Sequence, residues 1–287
     1  MKIELTSRSD GCGDSYGDGD GDGDGQGAKI SGTTIEEVYD SYADSYEVGS
    51  EETRFPHHGF TLDLGCGTGA VGMLIRQSAL NSTLVNNNVN LDEASHQPKV
   101  YIHGIDISTG MIKTPWCVHH YNSTQHGLVQ DVLMDPNAAW VQHAVVNGGA
   151  KNPSLADPIV DHITCFGVLY FLKPTEFEAV LSRMFRLARP SIMFDIDDVC
   201  PMYVDHLLEK HGEGFRNYNH IAAYRKFGTP LGWAKVVEED TVICHSLNVG
   251  VDVKGILARF ERVNCSATGI YTEEDQQGLG IINWLRF

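Results

Sequence analysis

Between residues 60 and 196 the apolar positions switch repeatedly between a two-residue and a three-to-four-residue spacing. Phe60, Leu62 and Leu64 alternate with polar neighbours and predict a strand, after which Val71, Met73, Leu74 and Ile75 predict a helix. Lys99 to Ile105 reads as a second strand, delayed by the Asn-rich segment 81 to 98, which is expected to be an elongated loop. A helix follows over 108 to 121, and Pro115 should kink it or end it early. A short third strand is expected to end at Gln130, and after a polar loop a fourth runs from His162 to Phe166. Phe177, Val180, Leu181, Met184 and Phe185 form the apolar stripe of a helix over Lys173 to Arg189, stopped by Pro190. Ser191 to Ile196 completes the series as a fifth strand.

Such regular alternation predicts an α/β fold with a doubly wound, mostly parallel sheet covered on both faces. Beyond Asp198 the chain reads as helical and aromatic to about Tyr224, and a cap insertion is expected over about 199 to 230. Val236-Val237, Thr241 to Cys244, Val251 to Phe260 and Ile281 to Phe287 read as strands, expected to be antiparallel.

Upstream, Thr33 or Thr34 can cap a short helix that places Val38, Tyr39, Tyr42 and Tyr46 near one face. Residues 10 to 27 are almost all Gly, Asp and Ser, so residues 1 to 30 are expected to be a disordered tail ahead of one domain over 31 to 287. Asp18, Asp20 and Asp22 before Gly23 imitate half of a calcium loop. Lys29, however, stands where a bidentate Glu is required, and a Gly-Asp repeat supports no flanking helix.

Charge narrows the partners. Lys plus Arg total 21 against 38 Asp plus Glu, and the net charge of -17 repels a polyanion, so nucleic acid is not an expected partner. No run of about 18 apolar residues occurs and the N-terminus lacks the apolar core of a signal peptide, so a soluble, cytoplasmic protein without a membrane partner is expected. The seven cysteines are scattered without a Cys-x-x-Cys pair and read as free thiols, and the 13 histidines show no metal spacing. No metal is expected.

The chemistry concentrates where the first strand hands over to its helix, at Asp63-Leu64-Gly65-Cys66-Gly67-Thr68-Gly69. Glycines there let the backbone turn tightly and let a ligand approach closer than any side chain permits. Gly67, Gly69 and Gly72 also satisfy the Gly-x-Gly-x-x-Gly of nicotinamide enzymes, so the spacing alone leaves two cofactor classes open. Asp63 inside the strand favours a sulfonium cofactor, because a pyrophosphate prefers the positive helix terminus unopposed. Asp106, ending the second strand, is placed for ribose hydroxyls, and Asp131, after the third, for an adenine amino group.

The segment 63 to 69 resembles motif I of class I S-adenosylmethionine-dependent methyltransferases. Gly104 to Met111 is similar to that family's second motif, Gln130 to Leu133 to its third and Asp161 to Leu169 to its fourth. Tyr39 to Tyr46 is similar to the aromatic entry segment of methyltransferase-like proteins of the Williams-Beuren region group. The resemblance implies S-adenosyl-L-methionine as cofactor in a Rossmann-like methyltransferase fold. It further implies that Gly65, Cys66, Gly67 and Gly69 pass under its methionine part, with Asp63 close by, and that Asp106 binds the ribose. Asp131 and Val132 would hold the adenine, Ile107 and Met111 would pack on its ring, Phe166 and Gly167 would line the methyl-transfer face, and Tyr39 and Tyr46 would lie over the cofactor.

Methyl transfer from a sulfonium is an in-line displacement that needs chiefly alignment and a dry site, so no catalytic base is assigned. Tyr42, Tyr170, Tyr218 and the cluster Asp195, Asp197 and Asp198 fall on the expected acceptor side, with Asp197 and the three tyrosines as substrate contacts. The leading reading is methyl transfer to a small-molecule acceptor. The alternatives are a cofactor-binding protein with a scaffold role or a non-methylating reaction, and an NAD-dependent oxidoreductase.

Overall fold

The computed structural model describes residues 55–56, 58–86, 100–148, 159–246 and 251–263. The expected N-terminal tail, the tyrosines at 39, 42 and 46, and the strand at 281 to 287 lie outside the described residues.

The elements in chain order are β1 (Gly59–Leu64), α1 (Ala70–Asn86), β2 (Val100–Asp106), α2 (Thr109–Ile112), α3 (Pro115–His120), β3 (Ser123–His126), α4 (Val129–Met134), α5 (Ala139–Gly148), β4 (Val160–Cys165), α6 (Pro174–Leu187), β5 (Ala188–Asp198), α7 (Pro201–His211), α8 (Ile221–Phe227), β6 (Trp233–Ser246) and β7 (Val251–Arg262). The seven strands form one sheet in the order β3-β2-β1-β4-β5-β7-β6. The first five pair in parallel, whereas β7 runs antiparallel to both β5 and β6. This is the doubly wound, mostly parallel sheet expected from the alternation of periods.

Two apolar clusters cover the sheet. Phe60, Leu62 and Leu64 join Trp140, Phe177, Val180, Leu181, Met184, Phe194 and Phe260 under α4, α5, α6 and α8. On the opposite face Ile75, Ile102, Ile112, Cys117, Tyr121 and Met193 pack under α1, α2 and α3. The stripe predicted for α6 is the stripe that is buried, and each such large side chain contributes roughly 1.5–3 kcal/mol.

Several boundaries differ from the expectation. Pro115 begins α3 rather than breaking a longer helix, because an N1 position has no hydrogen bond to lose and Thr114 caps the new turn. α1 runs to Asn86 and so enters the Asn-rich segment expected as loop. β3 ends at His126, not Gln130, since Gly127 at φ +150° leaves the strand and Val129, Val132 and Leu133 turn into the core as α4. Part of the expected polar loop after it is α5, held by buried Trp140, Val141 and Ala144. Pro190 lies inside β5, at the irregularity between the Val160 and His162 pairings, where a missing N–H interrupts little of the ladder.

Candidate functional site

The strand order reverses between β1 and β4, where the chain leaves β1 toward β2 and returns to β4 on the other side. In an open α/β sheet that reversal leaves a crevice at the carboxyl ends of the two strands, and the loops leading out of them line it. The residues singled out from the sequence after β1, β2 and β4 fall on this edge.

The glycine turn lies along the end of β2. The N–H groups of Gly65 and Cys66 both donate to the Ile105 carbonyl, at 2.7 and 3.0 Å, and the Gly67 N–H donates to Asp106 Oδ2 at 2.8 Å. Asp106 also accepts the Ser108 N–H at 2.8 Å through Oδ1 and is 8% exposed. The glycines do different work. A Cβ at Gly65 would stand 1.9 Å from Val168 Cγ2, and one at Gly69 2.8 Å from the Cα of Cys117, so at these positions the protein itself requires the missing side chain. At Gly67, with φ +50°, a Cβ would meet nothing within 4 Å. Bare main chain with open space over it is what a closely approaching ligand needs.

Asp63 faces inward. It is fully buried, accepts the Thr164 hydroxyl through Oδ1 at 2.6 Å and accepts the Tyr121 hydroxyl through Oδ2. Tyr121 in turn accepts the Gly72 N–H at 3.0 Å, and its ring fills the space a Cβ on Gly72 would need. Asp63 therefore ties β1 to β4 and, through Tyr121, to the first turn of α1. Sequence reasoning missed Tyr121 and Thr164, which lie 58 and 101 residues from Asp63 and carry no local pattern.

Burial lifts the Asp63 carboxyl from its usual range to about 6, more than its two hydroxyl donors lower it. A carboxyl with a raised pKa in the fold stabilises it while protonated and loses that contribution as pH climbs from the unfolded value to the folded one. Relative to Asp63→Asn, the wild-type protein should thus lose about 3 kcal/mol of stability as pH rises across that window. Urea unfolding at stepped pH measures the difference, and parallel curves would refute the assignment.

The other expected residues distribute along the same edge. Ile107 is half-buried, and Met111 is 1% exposed with its N–H donating to Ser108 Oγ at 3.0 Å. Asp131 is exposed in the first turn of α4 rather than at a strand end, and Val132 is buried against Gly127. Phe166 is half-buried, edge-on to Phe55 with ring centroids 6.2 Å apart. Gly167, at φ +69°, donates its N–H to Asp195. A Cβ at Gly167 would lie 3.8 Å from the Tyr170 hydroxyl, and the Tyr170 carbonyl accepts the Tyr218 N–H at 2.7 Å. The edge thus runs from Asp106 through the glycine turn to Gly167, Asp195, Tyr170 and Tyr218.

The segment expected as a cap comprises α7, a short turn of helix over 213–215, and α8. It is fastened beside the β4 loop: His220 bonds the Leu172 carbonyl at 2.8 Å and stacks on Phe177, while Phe215 packs edge-on against Phe171. Among the described residues no group of three or more His, Cys, Asp or Glu is arranged to hold a metal, and no helix is long and apolar enough to cross a membrane. Cys66, Cys117, Cys165 and Cys200 are free thiols.

No protein-family model matches the chain, and no curated protein matches it. Among solved structures it is similar to magnesium protoporphyrin IX methyltransferase from Synechocystis PCC 6803 with bound SAH, at 18% identity over 72% of this chain and 75% of that one, with a TM-score of 0.41. A SAM-dependent methyltransferase from Methanosarcina mazei gives 10% identity, coverage of 73% and 95%, and a TM-score of 0.43. The YcgJ protein of Bacillus subtilis gives 11%, coverage of 74% and 94%, and a TM-score of 0.43.

Proposed function

We propose that this chain binds S-adenosyl-L-methionine at the carboxyl ends of β1, β2 and β4 and transfers its methyl group to a small-molecule acceptor. The observation that carries the reading is the open main chain at Gly67, held in place by the buried carboxylate of Asp106. A Cβ would fill that cradle, so the residues present fit a ligand that lies against backbone.

In this reading the turn from Gly65 to Gly69 holds the amino-acid part of the donor, and Asp106, at the end of β2, takes the ribose hydroxyls. Ile107 and Met111 pack on the base, Asp131 and Val132 lie at its rim, and Tyr39 and Tyr46 close over it. The donor supplies a methyl carbon on positively charged sulfur, whose bonding pair returns to sulfur as an acceptor lone pair attacks. Phe166 and Gly167 bound the transfer line and keep water from it. Tyr42, Tyr170, Asp197 and Tyr218 then face the acceptor. A cytoplasmic enzyme without nucleic-acid or membrane partners agrees with the net charge of -17.

Titration calorimetry is expected to show one molecule of S-adenosylhomocysteine bound per chain and no heat from NAD. Absence of S-adenosylhomocysteine binding would overturn the reading, and saturable NAD binding would favour the oxidoreductase. Incubation of a small-molecule extract with a methyl-labelled donor should yield a labelled product, whereas cofactor binding without any label transfer would point to the non-methylating alternative.

A further inference from the structure

Two carboxylates, Asp195 and Asp197, lie inside β5 on this edge. β4 ends at Cys165, opposite Phe194, whereas β5 continues to Asp198, paired only with β7. Ile192, Phe194 and Ile196 point into the larger apolar cluster, so Met193, Asp195 and Asp197 share the other face. Both carboxylates are buried, at 6% and 5% exposure. Asp195 is anchored, with the Gly167 N–H 2.9 Å from Oδ1 and 3.2 Å from Oδ2. Asp197 is not: its Oδ1 is buried with no hydrogen-bond partner. Its neighbours across the ladder add none, since Asp197 stands opposite Gly255 and Asp195 opposite Leu257.

Leaving a carboxylate oxygen buried and unpaired is costly, and a cationic ligand is one way to complete it. We propose that Asp195 and Asp197 form the seat of a protonated amine on the acceptor molecule, with Asp197 Oδ1 as its principal contact. The proposal rests on the methyl-transfer reading only in calling that amine part of an acceptor.

Three observations select the ammonium. Asp195 holds one N–H across both oxygens, and a compact ammonium with three rotatable donors can bridge it to Asp197, whereas the planar guanidinium fork directs its paired donors to a single carboxylate. Two carboxylates are too few for a calcium shell, and no third acidic or imidazole ligand joins them among the described residues. Among the described residues the strand neighbours bring no cation: Cys165, Phe166 and Gly167 lie on the β4 side and Leu257 and Gly255 on the β7 side, opposite Asp195 and Asp197. Burial raises the pKa of Asp195 to about 7 and that of Asp197 well above the usual carboxylate range, and an ammonium seated between them would favour the charged form of both.

The test uses n-butylammonium, n-butylguanidinium, n-butanol and magnesium chloride as probes, titrated into the full chain by NMR with and without S-adenosylhomocysteine. Butylammonium should bind saturably and at least ~10-fold more tightly than butanol or butylguanidinium, and Asp197→Asn should remove that preference while S-adenosylhomocysteine affinity is kept. Equal binding of butylammonium and butanol would overturn the proposal, as would tighter guanidinium binding or displacement of butylammonium by magnesium. The wild-type comparison decides the matter alone if the variant fails to fold. Butylammonium binding without S-adenosylhomocysteine binding would sink the methyl-transfer reading and leave the seat standing, and the reverse result would do the opposite.

Discussion

Gly67→Ala should leave the protein folded yet weaken S-adenosylhomocysteine binding by ~30-fold or more, a loss of about 2 kcal/mol. The added methyl meets no protein atom within 4 Å, and its cost to the fold is the left-handed backbone at φ +50°, about 1–2 kcal/mol for a residue with a Cβ. What the methyl does occupy is the space into which the ligand must settle. Gly65→Ala supplies the contrast: its Cβ would stand 1.9 Å from Val168, so overpacking is added to backbone strain and the loss of stability should reach about 2–4 kcal/mol. Unfolding curves and calorimetry on the two variants separate a glycine kept for the ligand from one kept for the core. Unchanged affinity in Gly67→Ala would place the ligand elsewhere.

The second large effect is expected at Asp106. Its carboxylate joins two loops, taking the Gly67 N–H and the Ser108 N–H on separate oxygens, and the same group faces the proposed ribose position. Asp106→Asn keeps the shape but turns an amide hydrogen toward one of those N–H groups. A buried donor left unsatisfied costs about 1–3 kcal/mol, and the glycine turn loses the bond that holds it open. Affinity for S-adenosylhomocysteine should fall ~100-fold or more, with a smaller loss of stability. If stability falls while affinity is kept, Asp106 serves only to hold the turn.

Asp63 and Asp106 show how similar carboxylates two strand ends apart acquire different work. Both sit near the carboxyl end of an apolar strand and both are buried. Asp63 is enclosed by Tyr121 and Thr164, and burial dominates its ionisation. Asp106 instead collects backbone N–H groups from the two loops beside the crevice. Nothing in the residues flanking either one tells them apart, because the partners that decide arrive from other elements.

The periodic segments carried most of the fold. Alternation at 60 to 64, the α6 stripe and the glycine-rich exit from β1 reflect local rules of side-chain direction and backbone freedom, so the parallel sheet and the place of the crevice follow from the chain as written. Short elements were less legible. β3 has four residues, and α4 and α5 bury only part of one face each, so neither builds a long enough period to stand out from a loop. Trp140, Val141 and Ala144 were the available signal for α5.

By itself, then, the sequence determined the alternating architecture and the sites where backbone had to lie bare, since both depend on neighbours within a few residues. Tertiary structure alone decided which glycine faces open space and which faces Val168, that Tyr121 crosses to Asp63, and that β5 outruns β4 to leave Asp197 buried without a partner. Those outcomes depend on contacts between residues far apart in the chain, and no local pattern encodes the distance between them.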